Sequence, residues 1–458
     1  MSKRKHVGIP AVQPVGPQQT PLRVLAVFAL GQMGWSLASF GAGNLLVYFY
    51  MPPDQGVPLF PSYIYQGPVF WIFTLVGVIS ALGRLLDGVA DPLIAWWSDR
   101  KKARAGKRRW FMLRGAIPLA FFGALLFFPA NEAESATNFV WLAFCLIFYY
   151  LFLAFYVIPY NALMAELSHT KEDRMRTSVV VSVAWALGFV LGNGVYVLKG
   201  YFEEAGMRAP EAFQQAIMYL HLVAAVLMLL PAIFVNENKY ARSEENIQPF
   251  WKSLKTVAAD LNFRWFLTSW FLYWLSLTFI QMGMSYYVTI LLGLDLSMAF
   301  MFSIASFAGS FILFLPVKWI TGHVGKKAMI SASFLIFASI FLITSAGTMI
   351  TFPKEWLLFG IAILASIPLA VFGVLPNAIV GDEADHTFRT TGQSVTAMFY
   401  GVTAFTMKLG ISIANLVFPS LLLFGRSVDD PLGIQFTSFA AATFCVIGWM
   451  TFKRYDLR

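Results

Sequence analysis

Three charged residues stand close together inside a long apolar stretch of the sequence. Arg84, Asp87 and Asp91 are spaced i, i+3 and i+7, so a helix places all three on one face. A charge in hydrocarbon costs at least about 2.5 to 3.5 kcal/mol on insertion scales unless it is paired or hydrated. Two carboxylates one turn apart offer oxygens to a hard cation, and they can equally share a proton. We therefore predict that Asp87 and Asp91 bind a cation or a proton.

A simpler interpretation makes Arg84 and Asp87 a buried ion pair and leaves Asp91 hydrated. It explains two charges but not the third acid on the same face, and an acid in excess of Arg84 suggests a missing cation. A second deep charge, Lys408, lies near the centre of the apolar stretch 396–420. That position is too deep for its side chain to snorkel to either surface. We expect Arg84 and Lys408 to serve coupling or to face a substrate cavity.

Other polar residues in apolar stretches carry weaker signals. Asp99 and Arg100 end the stretch of the first three charges and open a basic run, which predicts an interfacial anchor and a gating contact on a cytoplasmic loop. His221 is expected to be a packed histidine, because no acid is near it in sequence. Five amides are interpreted as hydrogen-bonding glue between helices rather than as cavity residues: Gln32, Asn44, Asn193, Gln281 and Asn415.

The composition identifies the medium in which these residues must be placed. Of 458 residues, 58% are hydrophobic and only 12% are charged, and the mean hydropathy is +0.66. A typical soluble domain is about a quarter charged. The net charge of +9 does not indicate a nucleic-acid partner, because the basic residues sit in short clusters between apolar stretches. The chain is therefore predicted to be an all-α, multi-pass membrane protein whose partners are the lipid bilayer and a small molecule.

The sequence contains none of the motifs that would indicate an enzyme or a metal site. No nucleophile-base pair, CxxC, HExxH or cysteine-histidine cluster occurs, so we predict neither an enzyme nor a resident metal or other cofactor. Cys145 and Cys445 fall in apolar stretches and are expected to behave as small hydrophobes. The only metal considered is a transported sodium ion at Asp87 and Asp91.

Twelve apolar spans can be drawn along the chain, each long enough to cross about 30 Å of hydrocarbon. They comprise residues 22–50, 68–97, 111–130, 138–166, 177–198, 212–236, 263–292, 296–320, 327–350, 355–381, 392–424 and 432–452. An even number of spans puts both termini on one side. Most of the 33 Lys and Arg fall on that side, so the positive-inside rule makes both termini cytoplasmic. The predicted location is the plasma or inner membrane.

Two sequence repeats indicate a duplicated architecture. Residues 161–166 (NALMAE) recur as 377–382 (NAIVGD), and residues 106–108 (GKR) recur as 325–327 (GKK), at equivalent loops. We predict a transporter of two pseudo-symmetric six-helix bundles that share one orientation, with a substrate site between them at mid-depth. The predicted units are a flexible cytosolic tail 1–21, a first bundle 22–237, a linker 238–262, a second bundle 263–453 and a short tail 454–458.

The segment from Arg84 to Pro92 (RLLDGVADP), followed by 98–100 (SDR) and 106–110 (GKRRW), resembles the glycoside-pentoside-hexuronide:cation symporters of the major facilitator superfamily. The melibiose permeases are members of that family. Residues 381–385 (GDEAD) and Lys408 before Gly410 also resemble it. The resemblance implies cation-coupled uptake, with the two acids of the second span in the cation site and the lysine nearby.

The sequence departs from melibiose permeases at several positions that the resemblance implies are functional. Ala90 stands where those proteins have an asparagine that helps hold sodium, and Ala154 aligns with a hydroxyl residue of the same site. Because sodium wants about six oxygens and a proton needs only a carboxylate, protons are favoured over sodium. The acids that bind sugar in melibiose permeases align with positions near Met33 and Val157, and their pocket arginine aligns near Ser182. This chain therefore lacks those charged residues at the aligned positions.

These observations predict a cation-coupled symporter that imports a small solute by alternating access, with a sugar or glycoside as the first substrate class. Two alternatives remain open from sequence. One is a symporter or flippase of a lysolipid-like amphipathic substrate, which the depleted polar pocket favours. The other is a non-transporting membrane receptor or scaffold. The protein is expected to be a monomer.

Overall fold

The computed structural model describes residues 20–54, 59–101, 106–168, 171–240, 250–391 and 395–456. Twelve long helices lie within these ranges and are numbered in chain order: α1 Leu22–Tyr50, α2 Leu75–Arg100, α3 Lys107–Leu125, α4 Ala136–Glu166, α5 Lys171–Glu204, α6 Ala209–Phe234, α7 Leu261–Tyr286, α8 Met298–Val324, α9 Lys326–Ser345, α10 Lys354–Thr391, α11 Thr396–Leu421 and α12 Leu432–Lys453. Two short helices, Glu237–Tyr240 and Phe250–Ala259, lie between α6 and α7.

Most of the predicted spans match a helix within a few residues. Eight of the helices in the described ranges are long and apolar enough to cross a membrane by length and composition alone. α2 falls short of that criterion because it carries the charges of Arg84, Asp87 and Asp91. α10 runs on to Thr391, beyond the predicted end at 381, because a helix can continue through a polar segment after it leaves the apolar region.

The predicted start of the second span at residue 68 is wrong. Pro68–Val69 and Phe73–Thr74 form a two-stranded antiparallel hairpin, and α2 begins only at Leu75. The side chain of Thr74 caps the helix by accepting a hydrogen bond from the amide of Gly77 at 3.2 Å. Phe70 and Trp71 close the hairpin with φ angles of 46° and 76°. The hairpin therefore reverses the chain before the helix starts.

Side-chain caps and π turns set other helix boundaries. Asp260 accepts hydrogen bonds from the amides of Asn262 and Phe263 and begins α7. α1 contains a π turn at Gly41–Leu45, and α7 continues into a π turn at Tyr287–Leu291. A π turn inserts one extra residue into a helix and is common at functional sites. The same irregularity thus occurs in the first helix of each half.

The two halves pack internally and meet along three helix pairs. In the first half α1 packs on α5 and α6, and α3 packs on α4. In the second half α7 packs on α11 and α12, and α8 packs on α10. Between the halves, α2 lies against α11, α5 lies against α8, and the second part of α1 lies against α7. The predicted tail 1–21 and residues 241–249 of the predicted linker fall largely outside the described residues, and the division at 238–262 stays a prediction.

The repeated sequence motifs occupy equivalent places in the two halves. Gly106 and Gly325 precede α3 and α9 with φ angles of +107° and +84°, which side chains rarely adopt. Arg108, two residues into α3, pairs with Glu166 at the end of α4 at 2.9 Å. Lys326, at the start of α9, pairs with Asp382 on α10. The internal repeat is therefore visible in side-chain contacts as well as in sequence.

Two minor predictions are also confirmed. His221 is buried on α6, with Nδ1 2.9 Å from the carbonyl oxygen of Ile217, as expected for a packed histidine. Cys145 and Cys445 are both buried and free, in agreement with a role as small hydrophobes.

Candidate functional site

Four charged residues come together where α2 meets α11. Arg84, Asp87 and Asp91 lie on one face of α2, and Lys408 reaches them from α11; we call these residues the charged quartet. Nζ of Lys408 lies 2.8 Å from Oδ2 of Asp87 and also contacts Oδ2 of Asp91. Nη1 of Arg84 lies 3.2 Å from the same oxygen of Asp87. The Asp87 side chain is only 3% exposed, so this site is a buried ion-pair network.

The two helices are in direct contact at this site. A Cβ placed on Gly88 would lie 3.7 Å from the ring of Phe405 and 3.9 Å from Cδ of Lys408. Nearby, the hydroxyl of Ser412 on α11 donates to the carbonyl of Ala81 on α2 at 2.9 Å. The lysine thus reaches both carboxylates from the opposite half of the protein.

The charges of the quartet balance. Arg84 and Lys408 supply two positive charges, and Asp87 and Asp91 supply two negative charges when ionised. The expectation of an excess acid that needs a missing cation is wrong for this conformation, because Lys408 already pairs with both carboxylates. Among the described residues, two buried atoms of the quartet have no hydrogen-bond partner, the donor Nε of Arg84 and the acceptor Oδ1 of Asp91. An unpaired buried oxygen is costly, and Oδ1 of Asp91 is an acceptor to which a proton can be added.

The side of the quartet that contains Ala90 and Ala154 is apolar. Ala154 is 1% exposed and belongs to a small cluster with Ile94, Phe111 and Phe155, and Ala90 packs against the same cluster. Neither alanine offers a side-chain oxygen. The two departures from melibiose permeases therefore fall in one place and remove polar atoms from the same side of the site.

A separate cavity of about 680 Å³ lies between the two halves. Its walls come from α1, α5, α7, α8 and α10, with one ring from α9. None of the four quartet residues is among its described lining residues. Arg84 and Lys408 therefore do not line this cavity in the described part of its wall. Coupling between the quartet and a substrate in the cavity would have to be transmitted by movement of the helices.

Three residues whose side-chain amides were predicted to hydrogen-bond between helices instead line the cavity. Gln32, Asn193 and Gln281 all line the cavity, as does Ser182. The signal for the two glutamines was an unnoticed third repeat. Residues 32–36 (QMGWS) in α1 and 281–285 (QMGMS) in α7 share the pattern Gln-Met-Gly-x-Ser. Each glutamine thus precedes the π turn of its helix and faces the space between the halves.

The cavity is closed at the end of the bundle far from the chain termini. There the hydroxyl of Tyr286 on α7 donates to the carbonyl of Met51 at 2.6 Å, and Tyr196 Oη lies 3.2 Å from Oγ of Ser285. Arg426 donates a hydrogen bond to Gln66. The lining extends the other way to Met175, near the start of α5. The structure is therefore sealed at the end far from the termini.

Asp99 and Arg100 lie at the end of the bundle that carries the termini. Asp99 accepts a hydrogen bond from Arg108 at 2.6 Å, and its side chain is 61% exposed. The guanidinium of Arg100 lies 4.1 Å from the ring centre of Trp96. Sequence reasoning missed Glu237, whose carboxylate accepts from the amides of Arg108 and Arg109, each at 3.0 Å. This charge cluster ties α2 and α3 to the short helix Glu237–Tyr240, and its gating role stays a prediction.

The family model described as MFS/sugar transport protein matches residues 27–431. The chain belongs to this family of membrane transporters, so it is a carrier and not an enzyme. This membership confirms the resemblance to the glycoside-pentoside-hexuronide:cation symporters and the major facilitator fold.

Individual relatives are distant but cover most of the chain. An uncharacterized symporter of Synechocystis, sll1374, is 20% identical over 499 residues, covering 88% of each chain. The inner membrane symporter YicJ of Escherichia coli is 24% identical over 374 residues, covering 76% of this chain and 74% of the relative. The crystal structure of the nucleoside transporter NupG has a TM-score of 0.65 at 12% identity, covering 95% of this chain and 99% of the other. The last comparison supports the fold alone.

Proposed function

We propose that this protein imports a sugar or glycoside together with a proton, by alternating access around the cavity between its halves. The observation that carries the proposal is the position of Lys408 between Asp87 and Asp91, because this contact joins the halves through groups that can gain or lose a proton. The sugar assignment rests on the MFS/sugar transport protein family, and cation coupling is in keeping with relatives that are named symporters.

Proton binding at Asp91 links the network to the movement of the halves. A proton added at Oδ1 neutralises Asp91 and removes one of the two carboxylates that hold Lys408. The contact between α2 and α11 is then weaker, so protonation changes the relative stability of the access states. This drives transport only if the two states bind the proton with different affinity. Substrate bound in the cavity contacts α1, α5, α7, α8 and α10 and so shifts the equilibrium between the same access states.

A proton suits the network better than sodium. Sodium needs several oxygen ligands, and the flank formed by Ala90 and Ala154 is apolar. The Lys408 ammonium already fills the space between the acids, so a metal ion must displace it while finding few new ligands. A proton requires one carboxylate oxygen and no cage.

The proposed orientation places both termini in the cytoplasm and the protein in the plasma or inner membrane. The distribution of Lys and Arg supports this orientation, and the relative YicJ is named an inner membrane symporter. In this orientation the end closed by the Tyr286–Met51 contact faces outward. The proposed form is a monomer, since each chain contains both halves and the cavity between them.

The test is sugar-induced proton movement in cells that express the protein. Washed, lightly buffered cells receive monosaccharides and glycosides one at a time while external pH is recorded. We expect at least one sugar to cause alkalinisation with the wild-type protein and none to do so with Asp87→Asn. Exposed Asp429 provides the control Asp429→Asn, which should behave as wild type. The proposal fails if no sugar moves protons, or if sugar enters with sodium alone.

A further inference from the structure

The cavity carries no charge in the part of its wall that the structure describes. Its lining contains serine, asparagine, glutamine and many aromatic side chains, but no Asp, Glu, Lys, Arg or His. The charges at mid-depth are held in the quartet, which lies outside this wall. A charged substrate would therefore lose its water without gaining an opposite charge.

We propose that the transported substrates are uncharged glycosides with an apolar, preferably aromatic, aglycone, and that hexuronides are excluded. This inference rests on the proposed function and narrows it. The sugar ring is bound by the paired glutamines Gln32 and Gln281, and the aglycone lies among the aromatic rings of α8 and α10.

Two glutamine side chains contribute amide groups to the cavity wall. Gln32 is 5% exposed, and within the described residues the side-chain amides of Gln32 and Gln281 make no hydrogen bond to protein. Each amide can donate and accept, which suits neighbouring sugar hydroxyls. Nε1 of Trp274, another lining residue, is also buried without a partner. A substrate with hydroxyl groups would satisfy these groups, whereas a purely apolar substrate would leave them unpaired.

Serines on one helix add acceptors. The hydroxyls of Ser303, Ser306 and Ser310 on α8 each donate to a carbonyl of their own helix, at 3.0, 2.8 and 2.8 Å. All three line the cavity. With the hydroxyl hydrogen committed, the remaining lone pairs accept hydrogen bonds from a ligand. Sugar hydroxyls supply such donors, but a methyl or phenyl group does not.

Aromatic rings form the other part of the wall. Phe307 on α8 packs edge-on against Trp185 on α5, with ring centres 5.9 Å apart. Phe311 and Phe314 meet at 5.4 Å, and all four rings line the cavity. A volume of about 680 Å³ is within the range that holds drug-sized ligands. A single sugar ring leaves part of this space empty, and an apolar aglycone fills it.

The experiment measures binding to the purified full-length protein by isothermal titration. The probes are the p-nitrophenyl and methyl β-D-glycosides of glucose, galactose and xylose, with p-nitrophenyl β-D-glucuronide as the charged probe. We expect one of the p-nitrophenyl glycosides to bind at least about tenfold more tightly than its methyl partner, and the glucuronide to bind at least about tenfold more weakly than that neutral glycoside. Equal or tighter binding of the methyl glycosides or of the glucuronide would overturn the inference.

Variants distinguish the contribution of the amide side chains from that of the aromatic rings. Gln32→Leu and Gln281→Leu should weaken binding of methyl and nitrophenyl glycosides alike, and Gln→Asn at the same positions should restore part of it. Phe311→Ala should weaken only the nitrophenyl glycosides. The control Phe436→Ala alters a half-exposed ring of α12 outside the cavity and should change neither. Loss of both probe classes in Phe311→Ala, with an unchanged melting temperature, contradicts a role of this ring in binding the aglycone alone.

A gain-of-binding variant tests the charge argument directly. Ser182→Arg places a cation in the lining, and we expect it to raise glucuronide affinity at least about tenfold relative to the neutral glycoside. If sugars move protons in cells but the glucuronide is the preferred probe of the wild type, the inference fails while the proposed function stands. If no sugar binds or moves protons, both fail.

Discussion

The ammonium of Lys408 lies 2.8 Å from Oδ2 of Asp87, and this contact joins α11 to α2 across the two halves of the transporter. Both side chains are largely buried, at 13% and 3% exposure. The pair is therefore shielded from bulk water, and a change in the charge of its neighbours is felt strongly. Because this ion pair joins the two halves, protonation of its carboxylates changes how strongly the halves are held together.

Neutralising the acids should uncouple transport. Asp87→Asn and Asp91→Asn are each expected to reduce accumulation of substrate to its equilibrium level, whereas one pH unit of gradient supports about tenfold accumulation for one proton. The measurement is the internal-to-external sugar ratio in cells under an imposed pH gradient. The double variant Asp91→Asn/Lys408→Gln keeps the network neutral and serves as the folding control. Undiminished accumulation in Asp87→Asn/Asp91→Asn would place the coupling site elsewhere.

Coupling to protons predicts a response to pH and indifference to sodium. Uptake should rise as external pH falls at fixed internal pH, and replacing sodium by choline should leave it within about twofold. Installing oxygens in the apolar flank, as Ala90→Asn/Ala154→Thr, should introduce stimulation by sodium. Strict sodium dependence of the wild type at constant pH is the result that rules out this prediction.

The charge of Lys408 should be required. Lys408→Ala and Lys408→Gln leave Asp91 without its described cation, and both are expected to lose coupled uptake. Lys408→Arg keeps the charge and should retain part of the activity. Uptake is compared at equal expression, with Lys453→Gln at an exposed lysine of α12 as the matched control. Near-normal coupled uptake in Lys408→Ala would show that the residue only packs.

The turn before α3 should be sensitive to a single methyl group. Gly106 has a φ of +107°, and an added Cβ would clash with the side chain of Glu237, which accepts from amides in the first turn of α3. Gly106→Ala should therefore lower stability by roughly 1 to 3 kcal/mol, seen as a lower apparent melting temperature in detergent. Gly200→Ala, in the open on α5, is the control and should not destabilise. An equal melting temperature for both variants contradicts the strained turn.

The sequence predicted the part of the site that depends on one helix. Arg84, Asp87 and Asp91 share a face because of their spacing alone, and twelve apolar stretches predicted most helices within a few residues. The hairpin at Pro68–Thr74 was missed because its side chains are as apolar as those of a span. Only the side-chain cap at Thr74 and the turn at Phe70 and Trp71 separate it from α2.

Contacts between distant helices were less accessible to sequence reasoning. Lys408 was predicted to be deep and close to the cation site, but its insertion between both carboxylates depends on how α11 packs on α2. That packing turned an expected excess of acid into a balanced network. The cavity glutamines were missed for a different reason. A glutamine in an apolar helix suits helix packing and ligand binding equally well, and only the Gln-Met-Gly-x-Ser repeat distinguished Gln32 and Gln281.

The neutrality of the charged quartet has a consequence for how the membrane potential acts on the transport cycle. Work done by a potential is about 2.3 kcal/mol per elementary charge per 100 mV. A carrier that returns empty with two positive and two negative charges at mid-depth moves no net charge through the field at that site, whereas the carrier with a proton on Asp91 moves one. Voltage should then accelerate the loaded half of the cycle and leave the empty return unchanged. The protein would thus convert electrical energy into a sugar gradient only while it carries its cargo.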